Sequence, residues 1–190
     1  KLEKIIFPSS LTSINESILE SCYSLTDASL YCPMTIFPGY TFKGCKLLRK
    51  FDIHPTVKII SFGSFYECSS LKQIIIPNSV TSIYMNAFSK CSSLTEISIP
   101  SSVTYMGDYA FFECSSLKHV TFEIPSNLNT IGPSAFANCT SLTEISFPSS
   151  VNTISGNVVE GCSSLKQVSI SSKLSHFIVW TYKNIKLNVY

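Results

Sequence analysis

Cys68-Ser69-Ser70-Leu71-Lys72-Gln73-Ile74-Ile75-Ile76-Pro77-Asn78-Ser79-Val80-Thr81-Ser82-Ile83-Tyr84-Met85-Asn86-Ala87-Phe88-Ser89-Lys90 is one unit of a repeat, and its period decides the architecture. The cysteine that opens it recurs at Cys22, Cys45, Cys68, Cys91, Cys114, Cys139 and Cys162, at intervals of 23, 23, 23, 23, 25 and 23 residues. A fixed period of this size marks a solenoid, because one coil cannot bury its own apolar face whereas a stack of coils can.

Within the unit, Leu71, Ile74 and Ile76 recur as Leu94, Ile97 and Ile99, as Leu117, Val120 and Phe122, as Leu142, Ile145 and Phe147, and as Leu165, Val168 and Ile170. Branched and aromatic residues alternating with polar ones suit a strand with one buried face. The spacing predicts parallel strands at Leu71–Ile76, Leu94–Ile99, Leu117–Phe122, Leu142–Phe147 and Leu165–Ile170. Pro77, Pro100 and Pro148 close them, since proline cannot donate the next ladder hydrogen bond. Val80 and Ile83, with Val103 and Met106, Leu128 and Ile131, and Val151 and Ile154, form a second wall. Ala87-Phe88, Ala110-Phe111 and Ala135-Phe136 precede each cysteine; the segment is too short for an ordinary helix and predicts one helical or 3-10 turn.

Composition fits a long core. Of 190 residues, 45% are hydrophobic and 14% charged, which excludes a disordered chain. The net charge of +2 comes without a basic run, which argues against nucleic acid as a partner. No run of 18 apolar residues occurs, so direct membrane insertion of this segment is not expected. The opening Lys1-Leu2-Glu3-Lys4 enters a repeat directly, as a fragment of a longer chain would.

The string Cys-Ser-Ser-Leu-x-x-Ile-x-Ile-Pro-x-Ser-Val-x-x-Ile-x-x-x-Ala-Phe resembles the BspA-like class of leucine-rich repeats over essentially the whole chain. The resemblance implies a mainly β solenoid, a right-handed leucine-rich-repeat array of about eight 23-residue coils forming one continuous unit over residues 1–190. It also implies a surface or secreted adhesion protein with a protein partner, of the host or of its own kind. Departures fall at Ala28, Tyr31, Cys32 and Thr41 in the coil opened by Cys22, at His54 where Pro is usual, and at the two-residue insertion Glu123-Ile124. Val158-Val159 replaces Ala-Phe, and residues 171–190 lose the motif, with Phe177, Trp180 and Tyr182 clustered there as an aromatic closing coil. The insertion is expected to bulge outward, because a register shift of one residue would turn every apolar side chain of its strand to solvent.

The seven periodic cysteines share one position, so their Cβ atoms are held about as far apart as stacked strands, roughly 4.8 Å, beyond the usual disulfide separation. They read as reduced, buried thiols making polar contacts with the turn; Cys32 stands outside the column and is expected to be the accessible one. His54, His119 and His176 occupy three different columns, and no Cys-x-x-Cys or His-x-x-x-His spacing exists, so no metal, cofactor or catalytic set is expected. Asn15-Glu16-Ser17 is a glycosylation acceptor pattern, as is Asn138-Cys139-Thr140, whose core cysteine leaves Asn15 as the usable site.

Lys72, Glu96, Lys118, Glu144 and Lys166 alternate in sign along the outward strand face. They read either as a ladder of exposed cross-strand ion pairs or as a recognition surface for a protein partner. Beside them run Ser98, Thr121, Ser146 and Ser169, with Ile75 as the apolar exception. A protein-interaction module follows, with an intracellular structural scaffold in the cytoplasm as the alternative.

Overall fold

The computed structural model describes residues 1–155, 157–174 and 185–190. Among them, strands of two kinds alternate along the chain. In order they are β1 (Lys4–Phe7), β2 (Asp27–Leu30), β3 (Ile36–Phe37), β4 (Lys50–Asp52), β5 (Ile59–Ile60), β6 (Gln73–Ile75), β7 (Ser82–Ile83), β8 (Glu96–Ile99), β9 (Tyr105–Met106), β10 (His119–Phe122), β11 (Thr130–Ile131), β12 (Glu144–Ser146), β13 (Thr153–Ile154), β14 (Gln167–Ile170) and β15 (Lys186–Val189). The two-residue strands form one continuous parallel sheet, β13-β11-β9-β7-β5-β3, which is the back wall. The others form the front wall, in parallel groups β1-β2, β4-β6, β8-β10 and β12-β14-β15. This is the parallel-strand solenoid that the period predicts.

Registers follow the repeat. Glu96 pairs with His119 and Ile97 with Val120, one coil apart, while Tyr105-Met106 pairs with Thr130-Ile131 across the insertion. In β8, Ile97 and Ile99 point into the core and Glu96 and Ser98 to solvent, the alternation of a half-buried strand. Between the walls, Phe65, Phe88, Phe111 and Phe136 stack with centroids 5.2, 5.1 and 5.4 Å apart and rings within 8° of parallel. All four are fully buried. Such pairs contribute about 0.5–1.5 kcal/mol beyond their area burial, so the stack locks coil to coil as well as filling space.

The segment around each Ala-Phe turns as expected but does not wind into a continuous helix. Two residues four apart take left-handed φ values in every regular coil, for example Asn86 at 59° and Lys90 at 61°, or Tyr109 at 56° and Glu113 at 57°. A helix would direct its amides along its own axis. Here Phe65 donates to the Ala87 carbonyl, Phe88 to Ala110 and Phe111 to Ala135, each at 2.8 Å, while the alternate amides close single turns, Tyr66 onto Gly63 and Cys68 onto Phe65, so intercoil bonds and three-residue turns alternate. The left-handed conformation costs about 1–2 kcal/mol per non-glycine residue, and the intercoil hydrogen bonds offset it. Thr41 replaces the small Ala by donating its hydroxyl to the Pro38 carbonyl at 2.8 Å, which lets it stay buried.

The insertion is expelled locally. Ile124 is 86% exposed, whereas Leu128 is fully buried and β11 keeps its register with both neighbours. Phe122, half-buried, still packs its ring against Phe136 and Phe147. At the other end β15 pairs with β14 from Gln167↔Lys186 to Ile170↔Val189, closing a shorter coil. The Tyr190 amide donates to Ile170, and its hydroxyl to Phe147. Phe177, Trp180 and Tyr182, read above as an aromatic closing cluster, lie outside the described residues, as does His176.

Candidate interaction surface

The cysteine column builds the inside of the array. Cys68 donates its thiol to the Phe42 carbonyl, Cys91 to Phe65, Cys114 to Phe88 and Cys139 to Phe111, each at 3.2 Å; Cys45 reaches Leu19 and Cys162 reaches Phe136. Each bond spans one coil and ends on the residue three positions before the previous cysteine, so the thiols staple the stack and are free of disulfides. Burial pushes Cys68 and Cys91 far above the ordinary thiol range, and Cys45 and Cys114 to about 12. In the last rung the proximity of the two thiols raises Cys139, with burial adding to it, and lowers Cys162. The raised thiols, Cys45, Cys68, Cys91 and Cys114 among them, stay protonated and are poor nucleophiles.

Cys32 corrects the sequence expectation. It is 0% exposed and burial raises its pKa, while Cys22 is the half-exposed thiol. The reason is local. Tyr31 stands where Pro8, Pro77, Pro100 and Pro148 stand in other coils, and the in-out alternation runs on past β2: Leu30, Cys32 and Met34 point in, and Tyr31 and Pro33 out. Asn15 is exposed, and Asn138 is half-buried beside the buried Cys139.

Lys72, Glu96, Lys118, Glu144 and Lys166 all lie exposed on the front wall. They do not close into a ladder. Among the described residues the front wall carries one ion pair, Lys4 to Asp27 at 3.9 Å, and none joins the five. The cause is register: β8 sets Glu96 opposite His119, and β12 sets Glu144 opposite Gln167, so opposite charges stand diagonal to each other rather than across a rung. Where the ladder between β6 and β8 is interrupted, a depression of about 510 Å³ opens, lined by Gln73, Ile75, Glu96, Ser98 and His119. Ile75, 75% exposed, adds an apolar side chain to its lining. A second depression, of about 350 Å³, lies between β10 and β12 with Glu144 at its side.

Charge is neutralised elsewhere, along the edge beside the cysteine column. Lys43 meets Glu20 at 2.8 Å and stands 5.3 Å over the Tyr40 ring; Lys90 meets Glu67 at 3.5 Å and stands 5.4 Å over Tyr66. Hydrogen bonding and attraction to Glu20 raise Lys43, and those to Tyr66 raise Lys90.

The back wall holds an exposed cluster that reading the repeat for its core positions passed over. Phe62 and Tyr84 have centroids 5.1 Å apart, and Tyr84 and Tyr105 meet edge-on at 5.9 Å. With Ser82, Met85 and Asp108 they line a depression of about 430 Å³. The signal was available: the outward column that runs Ile36, Ile59, Ser82, Tyr105, Thr130 and Thr153 carries its one aromatic residue at Tyr105, and Phe62 and Asp108 share a column with Gly39 and Pro133.

The chain belongs to the BspA-type leucine-rich repeat family: the repeat region of that family, in six copies, matches residues 1–95 and 58–188. Among solved structures it is similar to a T. pallidum leucine-rich repeat protein at 27% identity and a TM-score of 0.75, covering 85% of this chain and 77% of that one. A leucine-rich repeat protein from Bacteroides ovatus shares its fold at 20% identity and a TM-score of 0.69, covering 99% of this chain and 69% of that one. A leucine-rich cell surface protein from Faecalibacterium prausnitzii does so at 22% identity and a TM-score of 0.58, covering all of this chain and 60% of the other. No curated protein matches the chain. Among the described residues no helix is long and apolar enough to cross a membrane, and no group of His, Cys, Asp and Glu is arranged to hold a metal ion.

Proposed function

We propose that this chain is a non-enzymatic protein-interaction module of a surface or secreted adhesion protein, and that its front wall is the binding face. The observation that carries this is the row Lys72, Glu96, Lys118, Glu144 and Lys166, exposed on one face of a stacked array and without ion-pair partners among the described residues. Unpaired charges of both signs on a preorganised sheet favour a partner with the complementary pattern, and govern its rate of encounter and its register. Family membership and the likeness to a cell surface protein support the adhesion reading.

The test is attachment of the whole chain to matrix-coated surfaces, comparing the parent with Glu96→Lys/Glu144→Lys. Attachment is expected to fall several-fold and to weaken with salt, with little change in melting temperature, because exposed pairs contribute about 0–1 kcal/mol. Attachment that is indifferent to both the substitutions and salt refutes the assignment of the face. The second reading, an intracellular scaffold, draws on the eight free cysteines, which suit a reducing compartment. An antibody to the chain that labels source cells only after permeabilisation would favour it.

A further inference from the structure

We infer that the back-wall cluster of Phe62, Tyr84, Tyr105 and Asp108 is a second binding site, one that takes a lysine or arginine side chain of a protein partner. It is separate from the front wall and does not depend on the charges there. Three aromatic residues and one carboxylate line the same depression, and Phe62 and Tyr105 are about 40% exposed, at 43% and 38%. Aromatic faces attract cations through their quadrupole, and a neighbouring carboxylate adds direct attraction.

The molecule itself shows what this combination holds. At Tyr40 with Glu20, and at Tyr66 with Glu67, a ring and a carboxylate together grip a lysine of the same chain, Lys43 in one case and Lys90 in the other. The back-wall cluster repeats the ring and the carboxylate without the lysine. Among the described residues no Lys or Arg stands over Phe62, Tyr84 or Tyr105, and Asp108 has no ion-pair partner. An apolar partner alone would leave the carboxylate desolvated and unpaired, a cost that a cation removes. The cluster also interrupts the repeat: further along the same columns the residues are Thr130 and Thr153, Gly132 and Ser155, which offer no such surface. The net charge of +2 gives cations no general attraction to this chain, so any preference for them is local to a site.

The probes are the acetylated, amidated tripeptides Gly-Arg-Gly and Gly-Lys-Gly, with Gly-norleucine-Gly as the uncharged apolar counterpart. They are titrated against the whole chain while the aromatic resonances of Phe62, Tyr84 and Tyr105 are followed by NMR. The cationic peptides are expected to shift these resonances saturably, and norleucine is not. Asp108→Asn and Tyr105→Thr should each weaken binding about two- to fivefold, the scale of one exposed cation–π contact. Tyr105→Thr places in the column the residue already present at Thr130 and Thr153, and an unchanged circular dichroism melt confirms its fold. Glu96→Lys on the front wall should leave the titration unaltered. Equal shifts with norleucine, no shifts with either cation, indifference to Asp108→Asn, or loss on Glu96→Lys would each overturn the inference.

Discussion

Raising the pH above about 9 should destabilise this protein steeply, because its cysteine column must stay protonated to stay folded. Burial places Cys45 and Cys114 at about 12 and Cys68 and Cys91 far above the ordinary thiol value of 9.0. A folded-state pKa above the unfolded one means that the unfolded chain releases protons first. The contribution of each thiol is therefore complete below about pH 9 and is lost as pH rises from there towards the folded value. At pH 10 each has given up a little over 1 kcal/mol, and the four together on the order of 5 kcal/mol. With a urea dependence of about 1–3 kcal/mol per molar, the unfolding midpoint should fall by roughly 2 M or more between pH 7 and pH 10. The assay is urea unfolding followed by circular dichroism at several pH values, with a reductant present throughout. Cys91→Ala provides the internal check: it lowers stability at pH 7 by removing the bond to Phe65, yet should shrink the alkaline loss by about 1 kcal/mol, one thiol's share. A midpoint that holds steady to pH 10, or a Cys91→Ala variant with the same alkaline slope as the parent, would refute the claim that these thiols are protonated because they are buried.

Alkylation of the native chain should modify Cys22 rapidly and Cys32 slowly, since Cys22 is half-exposed and Cys32 fully buried; peptide mapping after a short pulse reads this directly. Phe111→Ala should cost about 3–5 kcal/mol in urea unfolding, because Phe111 stacks on both Phe88 and Phe136 and its removal leaves a cavity in the middle of the array. Gly107→Ala should destabilise by about 1–3 kcal/mol, lowering the melting temperature. Its Cβ would stand 2.6 Å from the Met85 nitrogen and 2.9 Å from the Tyr84 carbonyl carbon, both backbone atoms that cannot rotate away.

Lys72 to Lys166 could be placed on one face from spacing alone, because parallel coils one period apart put like positions in columns. Whether their charges would close into pairs depended on a one-position offset between Lys72 and Glu96, together with which neighbour each strand bonds. Both are matters of three-dimensional register that a column of letters does not carry. The turn before each cysteine is legible from its short Ala-Phe segment, but its form is not: the neighbouring coil takes the Phe88 and Lys90 amides, which breaks the turn into single i→i−3 steps with left-handed kinks at Asn86 and Lys90.

Period and composition by themselves determined the stack, its register through the two-residue insertion, the buried cysteine column and the outward charged face. Each of these follows from burying one apolar side of a repeating unit, a requirement every coil states again in its own residues. Tertiary structure alone decided the orientation of Cys32, the unpaired state of the front charges and the convergence of Phe62, Tyr84, Tyr105 and Asp108. Those depend on where the pattern lapses, and at a lapse the local residues no longer dictate the side chain's direction: the neighbouring coils do.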